Sequence, residues 1–108
     1  GVISLFFDTK HAFAITTDDG IQILVHVGLD SIILNGKGIT ALKESGDRVT
    51  AGTPILKIDL DVFEKNSINL ISPVLVVNYD KVTKLTPCTP GCEVAAGSDE
   101  VMQYAIAV

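Results

Sequence analysis

Short apolar runs, many alternating with polar residues, recur along the chain, and turn signals interrupt them every few residues. No stretch longer than one or two helical turns sustains apolar positions at i, i+3, i+4 and i+7, so the pattern predicts strands. The expected strands are Val2–Phe7, His11–Thr16, Ile21–Val27, Ser31–Leu34, Pro54–Asp59, Val74–Val77 and Met102–Ile106. Asp19-Gly20, Asn35-Gly36, Ser45-Gly46, Ala51-Gly52, Ser72-Pro73 and Pro90-Gly91 mark the turns between them. Two short segments read as helical instead. They are Ile39–Glu44 and Leu60–Asn66, the second opened by Asp59 and Asp61, whose charge suits a helix N-terminus. The predicted class is all-β: an antiparallel β-sandwich with a duplicated β motif and at most short helical turns.

The duplication rests on Gly46-Asp47-Arg48-Val49-Thr50-Ala51-Gly52 laid over Gly91-Cys92-Glu93-Val94-Ala95-Ala96-Gly97. Both read Gly-x-x-Val-x-x-Gly, and an apolar strand follows each.

Composition narrows the picture. At 108 residues the chain holds one core, and 47% apolar residues argue against disorder. A net charge of −5 with no Lys/Arg cluster argues against nucleic acid and anionic membrane as partners and favours a basic protein face. The uncharged stretch Asn66 to Tyr79 is too short and too polar to span a bilayer. The N-terminus lacks the pattern of a signal peptide, so a cytoplasmic location without membrane insertion is expected. Cys88 and Cys92, in a Pro/Gly/Thr-rich loop, are too few for a disulfide framework.

The chemistry concentrates on His11 and His26, which close the two ends of one predicted hairpin around Thr17-Asp18-Asp19-Gly20. A loop centred on Asp18 and Asp19 sets His11 directly across from His26, with Cβ atoms about 4.5–5.5 Å apart. Centring on Asp19 and Gly20 makes the pair diagonal at roughly 7–8 Å, and a three-residue loop shifts the register by one and sends the rings to opposite faces. A lone strand histidine is more often structural than catalytic. Here Phe13, Val25 and Val27 surround both rings with apolar residues, and a polar spot in an apolar patch is a reasonable site. Thr9, two residues before His11, can bond one ring nitrogen and fix the tautomer; its plainer reading is a turn threonine.

An imidazole pair also suits zinc, with His11 and His26 as ligands, but catalytic zinc takes three protein ligands and no His-x-His or His-Glu-x-x-His occurs. Cys88 and Cys92, spaced by four in a proline-bearing loop, match a Cys₂His₂ set poorly. Hydrolase, nucleotide-binding and glycosidase signatures have no support.

Phe7-Asp8-Thr9-Lys10-His11-Ala12-Phe13-Ala14-Ile15, Asp19-Gly20 and Leu24-Val25-His26-Val27-Gly28-Leu29-Asp30 resemble the signature segments of the enzyme IIA domain of the glucose family in the bacterial sugar phosphotransferase system. The resemblance continues through Gly46–Gly52, Asp59-Leu60-Asp61 and Ser72–Asp80, and covers nearly the whole chain. It implies a β-sandwich phosphotransferase with a phosphohistidine intermediate and no required cofactor. By position, His26 resembles the phosphorylated residue, His11 its partner, Thr9 the hydroxyl that orients His11, and Asp80 an acidic residue beside the site. The implied partners are the histidine-containing phosphocarrier protein, which donates the group, and the cysteine of a IIB domain, which receives it during sugar uptake. They are expected to dock on an apolar patch of Phe7, Phe13, Leu24 and Val27 rimmed by Asp30 and Asp80. The family domain begins well before Gly1, so residues 1–108 are expected to form a single phosphocarrier domain without the usual N-terminal strands, and the tail from Thr86 departs from the family pattern. The reading from a different class is a non-catalytic β-sandwich module that binds metal or protein. A biotinyl- or lipoyl-like carrier is one form of it, but the Met-Lys-Met motif is missing.

Overall fold

The computed structural model describes residues 1–94 and 101–106. Strands β1 (Val2–Phe6), β2 (Ala12–Thr16), β3 (Gln22–His26) and β6 (Val74–Val76) form one antiparallel sheet in the order β1-β2-β3-β6. Two hairpins accompany it: β4 (Ile39–Ala41) with β5 (Leu56–Ile58), and β7 (Val82–Pro87) with β8 (Met102–Ile106). The helix α1 (Leu60–Lys65) is the one α-helix among the described residues, so the architecture is the expected antiparallel β-sandwich class.

Alternation sets the faces of the large sheet. Ile3 pairs with Ile15, and Phe6 with Phe13. Phe13 pairs with Val25 and Ile15 with Ile23, so these residues share one face. A register shift between Ile3 and Leu5 re-aims β1, and Leu5 joins Ala14, Leu24 and Leu75 on the opposite face with His26. Leu34, Ile39, Phe63 and Ile68 form a buried cluster packed by Leu56, Ile58 and Val62. Phe63 is the largest of the fully buried side chains, and hiding such a ring stabilises by about 1.5–3 kcal/mol. It is delivered there by α1, whose first turn is capped as its acidic start predicts: the Asp59 carboxylate accepts the Asp61 N–H at 3.0 Å.

Three expectations change. Ser31–Leu34 is a 3₁₀ turn rather than a strand, because Asp30 and Asn35 on either side take left-handed backbone and curl the apolar run. Ile39–Glu44 is not helical: Ile39 and Thr40 are β-branched and pair with Ile58 and Lys57 in β4–β5. Val82–Pro87 was not expected as a strand and pairs with β8. Of the second repeat copy, Ala95, Ala96 and Gly97 lie outside the described residues.

Candidate functional site

The β2–β3 hairpin turns through three residues. Thr17 N–H donates to the Ile21 carbonyl at 2.8 Å, Gly20 N–H returns to the Thr17 carbonyl at 2.9 Å, and Gly20 takes φ +90°. The Thr17 hydroxyl reinforces the closure by accepting Ile21 N–H at 3.0 Å. His26 therefore faces Ala12, and the predicted direct and diagonal pairings with His11 are both incorrect. The rings nevertheless meet, with centroids 5.1 Å apart and planes at 69°. The strand rule fails for His11 because His11 lies outside β2. Lys10 has φ +61°, and Phe7 N–H to Ala12 carbonyl (3.0 Å) and Lys10 N–H to Phe7 carbonyl (2.8 Å) fold Phe7–Ala12 into a loop, so the His11 side chain leaves the pleat.

Each ring has a different setting. His11 is 4% exposed, edge-on to Phe7 at 5.3 Å, and bonded through Nδ1 to the Thr9 hydroxyl. Burial first, and then the charge His26 would carry, hold its pKa below the ordinary 6.5, so it favours the neutral ring. His26 is half-buried, and its Nδ1 lies 2.7 Å from the Gly28 carbonyl. A carbonyl only accepts, so Nδ1 carries the proton and the neutral ring leaves its lone pair on Nε2.

The loop after His26 holds this acceptor in place. Gly28 has φ +75°, and a Cβ there would come within 2.9 Å of the Asn69 carbonyl and 3.2 Å of the Phe63 ring, so both backbone and space require glycine. Its N–H donates to the Ser72 hydroxyl at 3.0 Å, and Ser72 donates to the Leu70 carbonyl at 2.9 Å. Ser31, fully buried, donates to the Val27 carbonyl and, at 3.4 Å, to that of Gly28. Leu29 N–H to Asn69 carbonyl (2.8 Å) and His26 N–H to Pro73 carbonyl (3.0 Å) join the loop to the segment before β6. Gly28, Ser31 and Ser72 escaped sequence reasoning. A glycine two residues beyond the histidine and a serine inside an apolar run were the available signals.

Of the residues predicted for the site, the structure brings together Thr9, His11, His26 and Phe7. Leu24 shares the His26 face, Val27 donates its N–H to the His11 carbonyl at 2.7 Å, and exposed Asp30 opens the 3₁₀ turn just beyond Gly28. Phe13 does not belong to a docking surface. It is buried on the other face, its ring 5.6 Å from that of Phe6. Asp80 is not beside His26 either. β6 runs antiparallel to β3 and carries the chain to the turn end, where Asn78 bonds Gln22 N–H and the Gly20 carbonyl. Gln22 and His26 lie about 13 Å apart along the strand. Two imidazoles are two ligands, and among the described residues no group of three or more His, Cys, Asp and Glu gathers for a metal, so the Cys₂His₂ set is not assembled. A cleft of about 640 Å³ lies between Gly38 and Asp61 and does not include the histidines. The pair reaches solvent through the half-buried His26, with His11 buried behind it.

A family described as phosphoenolpyruvate-dependent sugar phosphotransferase system, EIIA 1, matches residues 1–82. The chain belongs to this family. It is thus an EIIA domain of the glucose family, and the non-catalytic module reading is not favoured. The N-acetylglucosamine-specific EIICBA component of Escherichia coli K12 is 45% identical over 85 residues, covering 79% of this EIIA domain and 13% of that protein. A glucose-specific EIIA component of Staphylococcus epidermidis is 38% identical over 79% of the chain and 51% of its own length. The solved glucose permease IIA of Mycoplasma capricolum superposes with a TM-score of 0.65 at 36% identity, over 70% of this chain and 49% of that one. The chain spans about half the length of the single-component relatives. No described helix is long and apolar enough to cross a membrane.

Proposed function

We propose that this EIIA domain accepts a phosphoryl group on Nε2 of His26 from a histidine-containing phosphocarrier protein and passes it to the cysteine of a IIB domain, in the cytoplasm. The observation that carries this reading is the hydrogen bond from His26 Nδ1 to the Gly28 carbonyl, which leaves the Nε2 lone pair available on the more accessible of the two rings. In the first step that lone pair attacks phosphorus; the new N–P bond forms as the donor's N–P bond breaks, and the donor imidazole leaves neutral. In the second step a cysteine thiolate attacks phosphorus and His26 is the leaving group. His11 acts beside it. With the Thr9 hydroxyl donating to Nδ1, its Nε2 carries a proton directed at the transferring oxygens, and its depressed pKa keeps it a neutral donor. The apolar neighbours Phe7 and Leu24 exclude water, which favours transfer to protein over hydrolysis.

Incubation with the phosphorylated phosphocarrier protein, followed by intact-mass measurement, tests the assignment. The expected result is one acid-labile, base-stable adduct that is absent from His26→Ala. An adduct that persists in that variant would overturn the reading.

A further inference from the structure

The β7–β8 hairpin, past the residue at which the family match ends, carries an arrangement of sulfur that the phosphoryl-transfer site does not use. Cys88 prolongs the ladder by one rung: its N–H donates to the Val101 carbonyl at 2.8 Å. The chain then reverses through Thr89-Pro90-Gly91-Cys92, closed by Cys92 N–H to the Thr89 carbonyl at 3.0 Å. Proline at the second position and a glycine with φ +82° at the third are what a type II turn demands. Nothing lies within 4 Å of a Cβ built on Gly91, so this glycine serves the backbone angle and not the packing. The reversal brings Cys92 back toward Cys88, so that the two thiols interact. Both cysteines are free and exposed.

The ends of this turn, Thr89 and Cys92, lie within about 7 Å, and Cys88 immediately precedes them, so the two thiols interact across one tight reversal, the setting in which a disulfide can close. We propose that Cys88 and Cys92 form a reversible dithiol–disulfide site, oxidised by thiol–disulfide exchange with a small disulfide of the glutathione class. The Cys88 thiolate attacks one sulfur of the small disulfide, forming a mixed disulfide and expelling one thiolate. Cys92 then gives up its proton and attacks the Cys88 sulfur, expelling the second. The protein loses two electrons and two protons, and the small disulfide becomes two thiols.

The two cysteines have different parts in this exchange. Cys88 lines an open cleft of about 250 Å³ together with Thr86, Pro87, Thr89, Met102 and Gln103, and Cys92 does not, so a small disulfide reaches Cys88 first. The Cys92 thiol is held above its ordinary range, chiefly by its hydrogen bond with Cys88 and then by lost water contact, which suits the thiol that waits to resolve. The closed loop is short, so the bond constrains the hairpin tip and adds little to global stability.

The test is exposure of the whole chain to oxidised glutathione, read by intact mass and by alkylation of remaining thiols. The unmodified sequence should lose two hydrogen atoms in mass and both alkylation sites, and a dithiol reductant should restore them. Cys92→Ser should retain a glutathione adduct on Cys88, and Cys88→Ser should form an adduct at least ~10-fold more slowly. Thiols that remain alkylatable, disulfides only between chains, or equal adduct rates in the two variants would each overturn the proposal. Circular dichroism of each variant establishes that these exposed substitutions leave the fold intact.

Discussion

At the turn end of the β2–β3 hairpin the chain is held by exposed charge. Arg48 pairs with Asp18 at 2.9 Å with both side chains about two-thirds in solvent, and the Tyr104 hydroxyl donates to Asp19 at 3.0 Å. At the histidine end, among the described residues, no charged group does this work. Carbonyls of Val27 and Gly28, hydroxyls of Thr9, Ser31 and Ser72, and one glycine hold the two rings. The difference follows from what each end must provide. A lone pair on a chosen nitrogen needs a partner that accepts only, and a carbonyl supplies that without attracting a second proton to the ring, as a carboxylate would. A turn needs only to be closed, and solvated ion pairs are worth little there.

Substitutions at the two ends should therefore differ in size, and the largest effect is expected from Gly28→Ala. Its Cβ meets the Asn69 carbonyl at 2.9 Å with φ at +75°, so strain and overpacking together should cost about 3 kcal/mol in denaturant unfolding. A loss below about 1 kcal/mol would mean the loop yields easily and the histidine end is not rigid.

Next is His11→Gln, which should leave acceptance on His26 intact and slow onward transfer to IIB by ~10²-fold. Unchanged onward transfer would make His11 structural. The same variant tests the pH dependence. The unfolded chain binds a proton on His11 near 6.5, whereas the folded ring resists until lower pH, so acid favours the unfolded state. Stability should decline as pH falls below 6.5 and level off beneath the lowered folded value, and His11→Gln should flatten that window in urea titrations at stepped pH.

Ser31→Ala removes hydrogen bonds made by a fully buried hydroxyl and should cost about 1–3 kcal/mol. Onward transfer should fall with it, because the loop carrying the Gly28 acceptor loosens. The smallest effect belongs to the other end: Arg48→Ala should change stability by less than about 1 kcal/mol and leave transfer rates unaltered. An effect at Arg48 equal to that at Ser31 would erase the contrast between the ends.

Alternation and an Asp-Gly turn sufficed to read the hairpin, the edge strand before it and the strand ending at Val76, and Asp59 announced α1. Of the three registers left open, the observed one is the three-residue loop, which Thr17 closes through its hydroxyl; what failed is the expectation that this register separates the rings. Ser31–Leu34 read as a strand because four residues are too few to separate an apolar run from a buried turn. The histidine pair was legible from spacing, although the contact arises by another route, the left-handed Lys10 that frees His11 from the pleat. Phe13 and Asp80 were misplaced for one reason: nearness in a signature segment does not say which face or which end a residue occupies. The positioning groups Gly28, Ser31 and Ser72 act through backbone carbonyls and amides, whose directions only the folded chain reveals.

The bond from Tyr104 to Asp19 also gives the molecule its own optical signal. The chain has two tyrosines and no tryptophan, so its near-ultraviolet emission is tyrosine emission alone. Tyr79 is largely in solvent, whereas the Tyr104 phenol rests on a carboxylate, which quenches an excited phenol by taking its proton. Detachment of the β7–β8 hairpin from the main sheet would therefore brighten the protein, and the docking of its tail can be followed without a label.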